Sequence, residues 1–167
     1  MKLVVKFGGT SLATVKDIKN VAKTVDKIAK KNKTVVVCSA VDGVTDELIQ
    51  ISSLIEKGNK KDANRMLAKI SQKHKQFAAH LVVNPKILKS LSNKLNSDLS
   101  ELEELVRGLI LLGEVTPRSY DYLISFGERL SIDLVSFSLQ ELKNKSVPLS
   151  GKEAGIVTDS NFGDSRP

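Results

Sequence analysis

Two rhythms of apolar side chains run along this chain. Leu3 to Phe7 is a short apolar run that ends at Gly8-Gly9. Beyond it Ile18, Val21, Ala22, Val25, Ile28 and Ala29 recur every three or four residues, the spacing that lines one side of a helix. A second β-branched run, Thr34 to Val37, follows the lysine-rich end of that helix. Strand, glycine turn, helix and strand in quick succession predict a β-α-β unit with parallel strands and a right-handed crossover, and therefore an α/β fold.

From Ala40 onward the pattern is helical over most of the chain. One segment is predicted near Asp46 to Glu56, and a longer one carries Ala63, Met66, Leu67, Ile70, Phe77 and Leu81 before Asn84-Pro85 interrupts it. Leu88, Leu91 and Leu95 predict a shorter piece, after which Ser97 or Asp98 would cap a helix bearing Leu102, Leu105, Val106, Leu109 and Ile110. Thr116-Pro117, a cap residue with proline in the first turn, opens a last helix predicted to run to about Lys143. Strand-like pieces return only at Val147 to Leu149 and Ile156 to Val157. The chain then stops at Gly163-Asp164-Ser165-Arg166-Pro167 with no closing helix, and two clear strands are few for so many helices. The expectation is a truncated chain whose sheet partners lie elsewhere.

Composition narrows the class without naming it. At 167 residues, 41% apolar and 27% charged, the chain is one soluble globular domain by length and make-up. The single Cys38 ends an apolar run and reads as a small buried hydrophobe. No charged n-region precedes an apolar h-region, and no stretch reaches the ~20 apolar residues of a membrane span, so the reading is cytoplasmic, with no membrane partner. The net charge of +7 gathers on Lys16, Lys19, Lys23, Lys27 and Lys30, one face of the first helix. That face carries neither the arginines nor the aromatics of a nucleic-acid surface, so a solvated ridge is expected and no nucleic acid. His74 shares the apolar row of Ile70 and Phe77, His80 is out of phase with it, and neither belongs to a metal-ligand spacing.

The candidate chemistry lies at strand ends. Gly8 and Gly9 lack a Cβ, so their backbone N–H groups can approach an anion closely, and Lys6 would project beside them: a phosphate-facing loop. The same spacing serves a solvated lysine and a plain turn, and neither G-x-x-x-x-G-K-S/T nor G-x-G-x-x-G occurs. Ser39 to Asp46 repeats the arrangement, with Thr45 as the candidate helix cap. Ligands of parallel sheets collect beyond the carboxyl ends of the strands, so both loops should border one cleft. Glu128 shares a helical row with Ile124 and Ile132. A carboxylate there requires a partner, which either a lysine or a substrate ammonium would supply. Arg129 and Asp133, four residues apart, are expected to pair at the surface.

Read together, Lys6-Phe7-Gly8-Gly9-Thr10-Ser11, Ser39-Ala40 with Gly43-Val44-Thr45-Asp46, and Ser125-Phe126-Gly127-Glu128 with Leu130-Ser131 resemble aspartate kinase in order, spacing and strand context. The first segment is that family's hallmark within the amino acid kinase superfamily, and Thr158-Asp159 with Phe162-Gly163 is similar to a further family stretch. The resemblance implies a three-layer α/β sandwich with a largely parallel sheet. Residues 1–167 would be the N-terminal, amino-acid-binding part of its catalytic domain, with a helix-rich middle and without the ATP-binding half and the regulatory ACT domains. It implies transfer of the γ-phosphoryl of ATP, with Mg2+ held mainly through the phosphates, to the β-carboxylate of L-aspartate. The product, 4-phospho-L-aspartate, feeds lysine, threonine and methionine synthesis.

By position, Lys6 is the implied catalytic residue, neutralising charge on the moving phosphoryl group, while Gly8, Gly9, Thr10 and Ser11 form the phosphate and ATP loop. Ser39 and Thr45 would border the aspartate, and Glu128 would receive its α-ammonium. The parent enzyme would be a homo-oligomer, and the isolated chain inactive. Thr10-Ser11 and Ser-Phe-Gly-Glu argue against related kinases of glutamate, acetylglutamate, carbamate or UMP. A non-catalytic binding or regulatory module is the alternative of a different class.

Overall fold

The computed structural model describes residues 1–166. Its elements are β1 (Lys2–Phe7), a short 3₁₀ turn (Gly9–Leu12), α1 (Val15–Ala29), β2 (Lys33–Cys38), α2 (Val44–Glu56), α3 (Lys60–Leu81), α4 (Pro85–Leu112) and α5 (Pro117–Glu141). β1 and β2 pair in parallel, from Lys2 opposite Lys33 to Phe7 opposite Cys38, so the expected β-α-β unit is present. The strands alternate as a half-covered sheet must. Phe7, Val36 and Cys38 face the core, while Lys2, Val4, Lys6, Lys33, Val35 and Val37 are exposed on the other face.

Local signals set most helix ends. Thr14 caps α1 by accepting a 3.1 Å bond from the Asp17 N–H, Asn59 caps α3, and Asn84 caps α4 with Pro85 in its first turn. Thr116 caps α5 in the same way, accepting from the Ser119 N–H. On α1, Ile18, Val21, Ala22 and Val25 are buried, and the five lysines of the ridge are exposed on the opposite side. Cys38 is buried, which pushes its thiol up to about 11 and leaves it protonated at neutral pH. His74 is fully buried; burial pulls its pKa down, so the ring is neutral and donates from Nδ1 to the Ile70 carbonyl at 2.8 Å. Among the described residues no helix is long and apolar enough to cross a membrane.

Two expectations fail. Ser97 and Asp98 start no helix: α4 is continuous, because its apolar row runs unbroken through Leu91, Leu95, Leu99 and Leu102. Asp98 finds cationic partners on its own and a neighbouring helix instead of capping one. The apolar residues at Val147 to Leu149 and Ile156 to Val157 form no strand and are largely exposed. The last helix, α5, ends at Glu141, close to the expected Lys143.

The core is organised around α5, which touches α1, α2, α3, α4 and β2. From Leu130 to Leu139 nearly every residue is buried, as expected of a helix enclosed on all sides. Phe126 is fully buried, meets Tyr122 edge-on at 5.4 Å between ring centroids and lies beneath the Arg129 guanidinium at 4.2 Å. Phe126→Ala should therefore cost about 3–5 kcal/mol in urea unfolding, because a cavity opens where α5 meets its neighbours.

Candidate functional site

Three segments far apart in sequence converge at the carboxyl ends of β1 and β2. The Ser39 N–H donates to the Phe7 carbonyl at 3.0 Å, joining the two strand ends. A Cβ on Gly9 would lie 3.4 Å from the Ala40 carbonyl oxygen and 3.8 Å from Asp42 Oδ1, so the glycine turn rests against the β2–α2 loop. Gly8 faces open space, with nothing within 4 Å of a Cβ placed there. Ser11 N–H donates to the Gly8 carbonyl at 3.0 Å, while among the described residues the N–H groups of Gly9 and Thr10 meet no acceptor. These are donors without an acceptor beside the open space at Gly8, the arrangement that accepts an anion.

The β2–α2 loop is shaped by Gly43, whose φ of 77° places it in the left-handed region at the head of α2. Gly43 therefore occupies the cap position, and Thr45 lies inside the first turn without capping it. The loop is braced from α3 by a residue that the sequence did not single out. Lys73 Nζ donates to the Asp42 carbonyl at 2.7 Å, and one turn earlier Lys69 pairs with Glu47 at 2.8 Å.

The third segment is the middle of α5. A Cβ on Gly127 would stand 2.8 Å from the Ala40 Cβ and 3.7 Å from Thr45 Oγ1, so only glycine lets the helix come this near. At that approach Glu128 Oε1 accepts from the Ala40 N–H at 3.2 Å. Ser131 Oγ lies 2.7 Å from the Ser39 carbonyl oxygen and 2.9 Å from that of Glu128, a shared donation tying α5 to the strand end. Glu128 Oε2 meets no donor among the described residues, and no lysine or arginine pairs with Glu128 there. The lysine partner considered from the sequence is thus not found.

Gly8, Gly9, Ser39, Thr45 and Glu128 are brought together, with Thr10 exposed and Ser11 half-buried beside them. Lys6 is joined to them only through the strand. Its side chain is exposed on the open sheet face, opposite Val37 in the ladder. Glu128 also lines a cavity of about 940 Å³ between α4, α5 and the segment Pro148 to Glu153. The far wall corrects one expectation: Arg129 does not pair with Asp133 at the surface. It binds Asp98 at 3.0 Å and also pairs with Glu101, which further accepts from the Tyr122 hydroxyl, while Asp133 is buried. The hydrogen bond from Arg129 holds the Glu101 carboxyl below its usual range.

A parallel β-α-β unit with a glycine turn at its first strand end, closed by a helix carrying Gly-Glu, defines a class. Residues 1–166 match the model of the amino acid kinase family, and the chain belongs to that family. Curated proteins that it resembles include aspartokinases and bifunctional aspartokinase/homoserine dehydrogenases. It is 32% identical over 164 residues to aspartokinase 3, chloroplastic, of Arabidopsis thaliana, covering 95% of this chain and 27% of that one. With the aspartokinase of Geobacillus stearothermophilus it shares 28% identity over 165 residues, covering 98% of this chain and again 27% of the relative. Escherichia coli aspartokinase III, solved in complex with aspartate and ADP, superposes with a TM-score of 0.81 at 24% identity, covering all of this chain and 35% of that one; the two share a fold. The chain thus spans about a quarter of the length of these curated relatives.

The Gly127–Ala40 approach yields a direct test. Gly127→Ala should destabilise the chain by roughly 1–3 kcal/mol, the cost of overpacking a close contact. It should also shift the Ala40 amide resonance, because the bond to Glu128 cannot form at the wider spacing.

Proposed function

We propose that this chain is the amino-acid-binding part of an aspartate kinase, which moves the γ-phosphoryl of ATP to the β-carboxylate of L-aspartate. The observation that carries the reading is Glu128, a half-buried carboxylate fixed through one oxygen by the Ala40 N–H with its other oxygen free, beside amides without acceptors. A negative receptor next to a positive one suits a substrate that presents an ammonium at one end and receives a phosphoryl group at the other.

In this reading the free Oε2 of Glu128 takes the α-ammonium of aspartate. Ser39 and Thr45 border the amino acid, their backbone held by Ser131 and by the head of α2. ATP would supply the phosphoryl group. The open space at Gly8 and the unengaged N–H groups of Gly9 and Thr10 fit a phosphate, with Ser11 completing the turn. Lys6 supplies positive charge that favours the transferring group, in a reaction that depends on positioning and electrostatic stabilisation rather than on a protein nucleophile. Among the described residues no three His, Cys, Asp or Glu side chains gather to hold a metal. Mg2+ would be held mainly through the phosphates. The same proposal includes a cytoplasmic location, homo-oligomeric assembly of the whole enzyme, a role in lysine, threonine and methionine synthesis, and residues beyond this segment for the rest of the ATP site.

Two measurements test it. L-Aspartate should bind the chain in calorimetry, N-acetyl-L-aspartate should not, and Glu128→Gln should weaken binding at least tenfold, or about 1.4 kcal/mol. Equal binding of the acetylated analogue would remove the ammonium role. With ATP, Mg2+, aspartate and hydroxylamine, the isolated chain should yield no aspartyl hydroxamate; clear ATP-dependent product would show that residues 1–167 hold a complete site.

A further inference from the structure

One turn beyond Glu128, the cavity wall holds a charge cluster that the proposed reaction does not use. Asp98 on α4 and Asp133 on α5 are 3% and 1% exposed, and Lys94 Nζ neighbours both, 2.6 Å from Asp98 Oδ2 and 3.9 Å from Asp133 Oδ2. Asp98 engages a cation with each oxygen: Lys94 Nζ is 2.6 Å from Oδ2, and Arg129 Nη2 is 3.0 Å from Oδ1. Asp133 has no such support. As a carboxylate its Oδ2 is buried without any hydrogen-bond partner, and the nearest cation, Lys94 Nζ, is 3.9 Å away, beyond hydrogen-bond range.

The charges can be counted. Lys94 and Arg129 offset Asp98 and Glu101, which leaves an ionised Asp133 uncompensated in the interior. Across the cavity stand Lys152 and Glu153, one charge of each sign; on α5 the hydrogen bond to Glu101 raises the pKa of the Tyr122 hydroxyl and keeps it neutral, and Glu128 adds a further carboxylate. An unpaired buried carboxylate is relieved by taking up a proton, and an adjacent carboxylate oxygen accepts that proton's hydrogen bond.

We propose that Asp133 is held as the carboxylic acid in the folded chain and donates a hydrogen bond to Asp98, a latch between α4 and α5 that positions the helical row carrying Glu128. The proton stays on Asp133; one negative charge remains on Asp98, facing the two cations. Burial first, and then the hydrogen bond to Asp98, push the Asp133 carboxyl up to about 7. Burial opposes the Asp98 charge too, but the hydrogen bonds from Lys94 and Asp133 and the neighbouring positive charges outweigh it and keep that group below its ordinary value. Asp133 is a positioning residue, acting through Asp98 and Arg129. That part rests on the reading of Glu128 as a ligand contact, whereas the shared proton does not.

The sign of the pH dependence follows. Because the folded pKa of Asp133 is raised above the ordinary 3.8, the folded chain keeps a proton that the unfolded chain releases between that value and about 7. The contribution is full below 3.8 and is lost as pH rises through about 7. Asp133→Asn keeps the shape and the donor but cannot ionise. In urea unfolding, the wild-type unfolding constant should rise relative to that of Asp133→Asn by roughly tenfold per pH unit between pH 5 and 7. Parallel curves would overturn the proposal.

Carbon-13 NMR of the wild-type carboxyl groups needs no variant. One aspartate should titrate near pH 7, and all aspartates titrating below pH 5 would equally overturn the latch. The Ala40 amide, bonded to Glu128, reports positioning: its nitrogen shift should follow the same titration in the wild type and not in Asp133→Asn, and a flat wild-type response would overturn the positioning role. Failure of L-aspartate to bind at any pH, with these titrations intact, would instead count against the reading of Glu128 and leave the shared proton standing.

Discussion

The approach of α5 to the loop that follows β2 depends on a missing side chain. Gly127 sits mid-helix, where glycine costs about 0.5–1 kcal/mol relative to alanine, yet an alanine Cβ would lie 2.8 Å from that of Ala40. Because it is glycine, α5 reaches the end of β2 closely enough for the Ala40 N–H to bond Glu128 and for Ser131 to reach the Ser39 carbonyl. Since α5 is also the element against which the other four helices pack, its position at that contact sets the frame for the whole core.

That frame places groups of opposite character side by side. On the strand side, the glycine turn offers amides with no acceptor; on the helix side, Glu128 offers an oxygen with no donor. Neither is neutralised among the described residues, although Asp98, Glu101, Lys94 and Arg129 neutralise one another only a turn or two away. The contrast separates polar groups that hold the fold from polar groups left for something else.

What was legible in the sequence was local. Alternation in β1 and β2, the apolar stripe of α1 and the Thr116-Pro117 start each declare themselves within a few residues, and each is present. Asp98 misled because a short polar side chain after Ser97 looks like a cap, whereas its partners are Lys94 on the same helix and Arg129 at a distance of 31 residues. Thr45 misled for a related reason: the left-handed Gly43 two residues earlier already closes the head of α2. At the site, the row of Glu128 could be read from spacing, and the convergence of two strand ends from the parallel topology. The Ala40 N–H as its partner, the tight fit at Gly127 and the brace from Lys73 exist only once helices meet, and no periodicity encodes them.

The sheet's uncovered face has a consequence for how the molecule behaves in bulk. Val4 and Val35 are opposite one another, 71% and 60% exposed, on a two-stranded ribbon with unpaired edges, the kind of surface through which separate chains adhere. Lys2, Lys6 and Lys33 stand on the same face, and the whole chain carries +7, so at low ionic strength like charge keeps such surfaces apart. With salt the screening length shrinks to about 10 Å at 0.1 M, and the valines are then opposed by less repulsion. Colloidal stability and fold stability are thus governed by different parts of this protein, the first by three lysines on an open ribbon and the second by a glycine inside a helix.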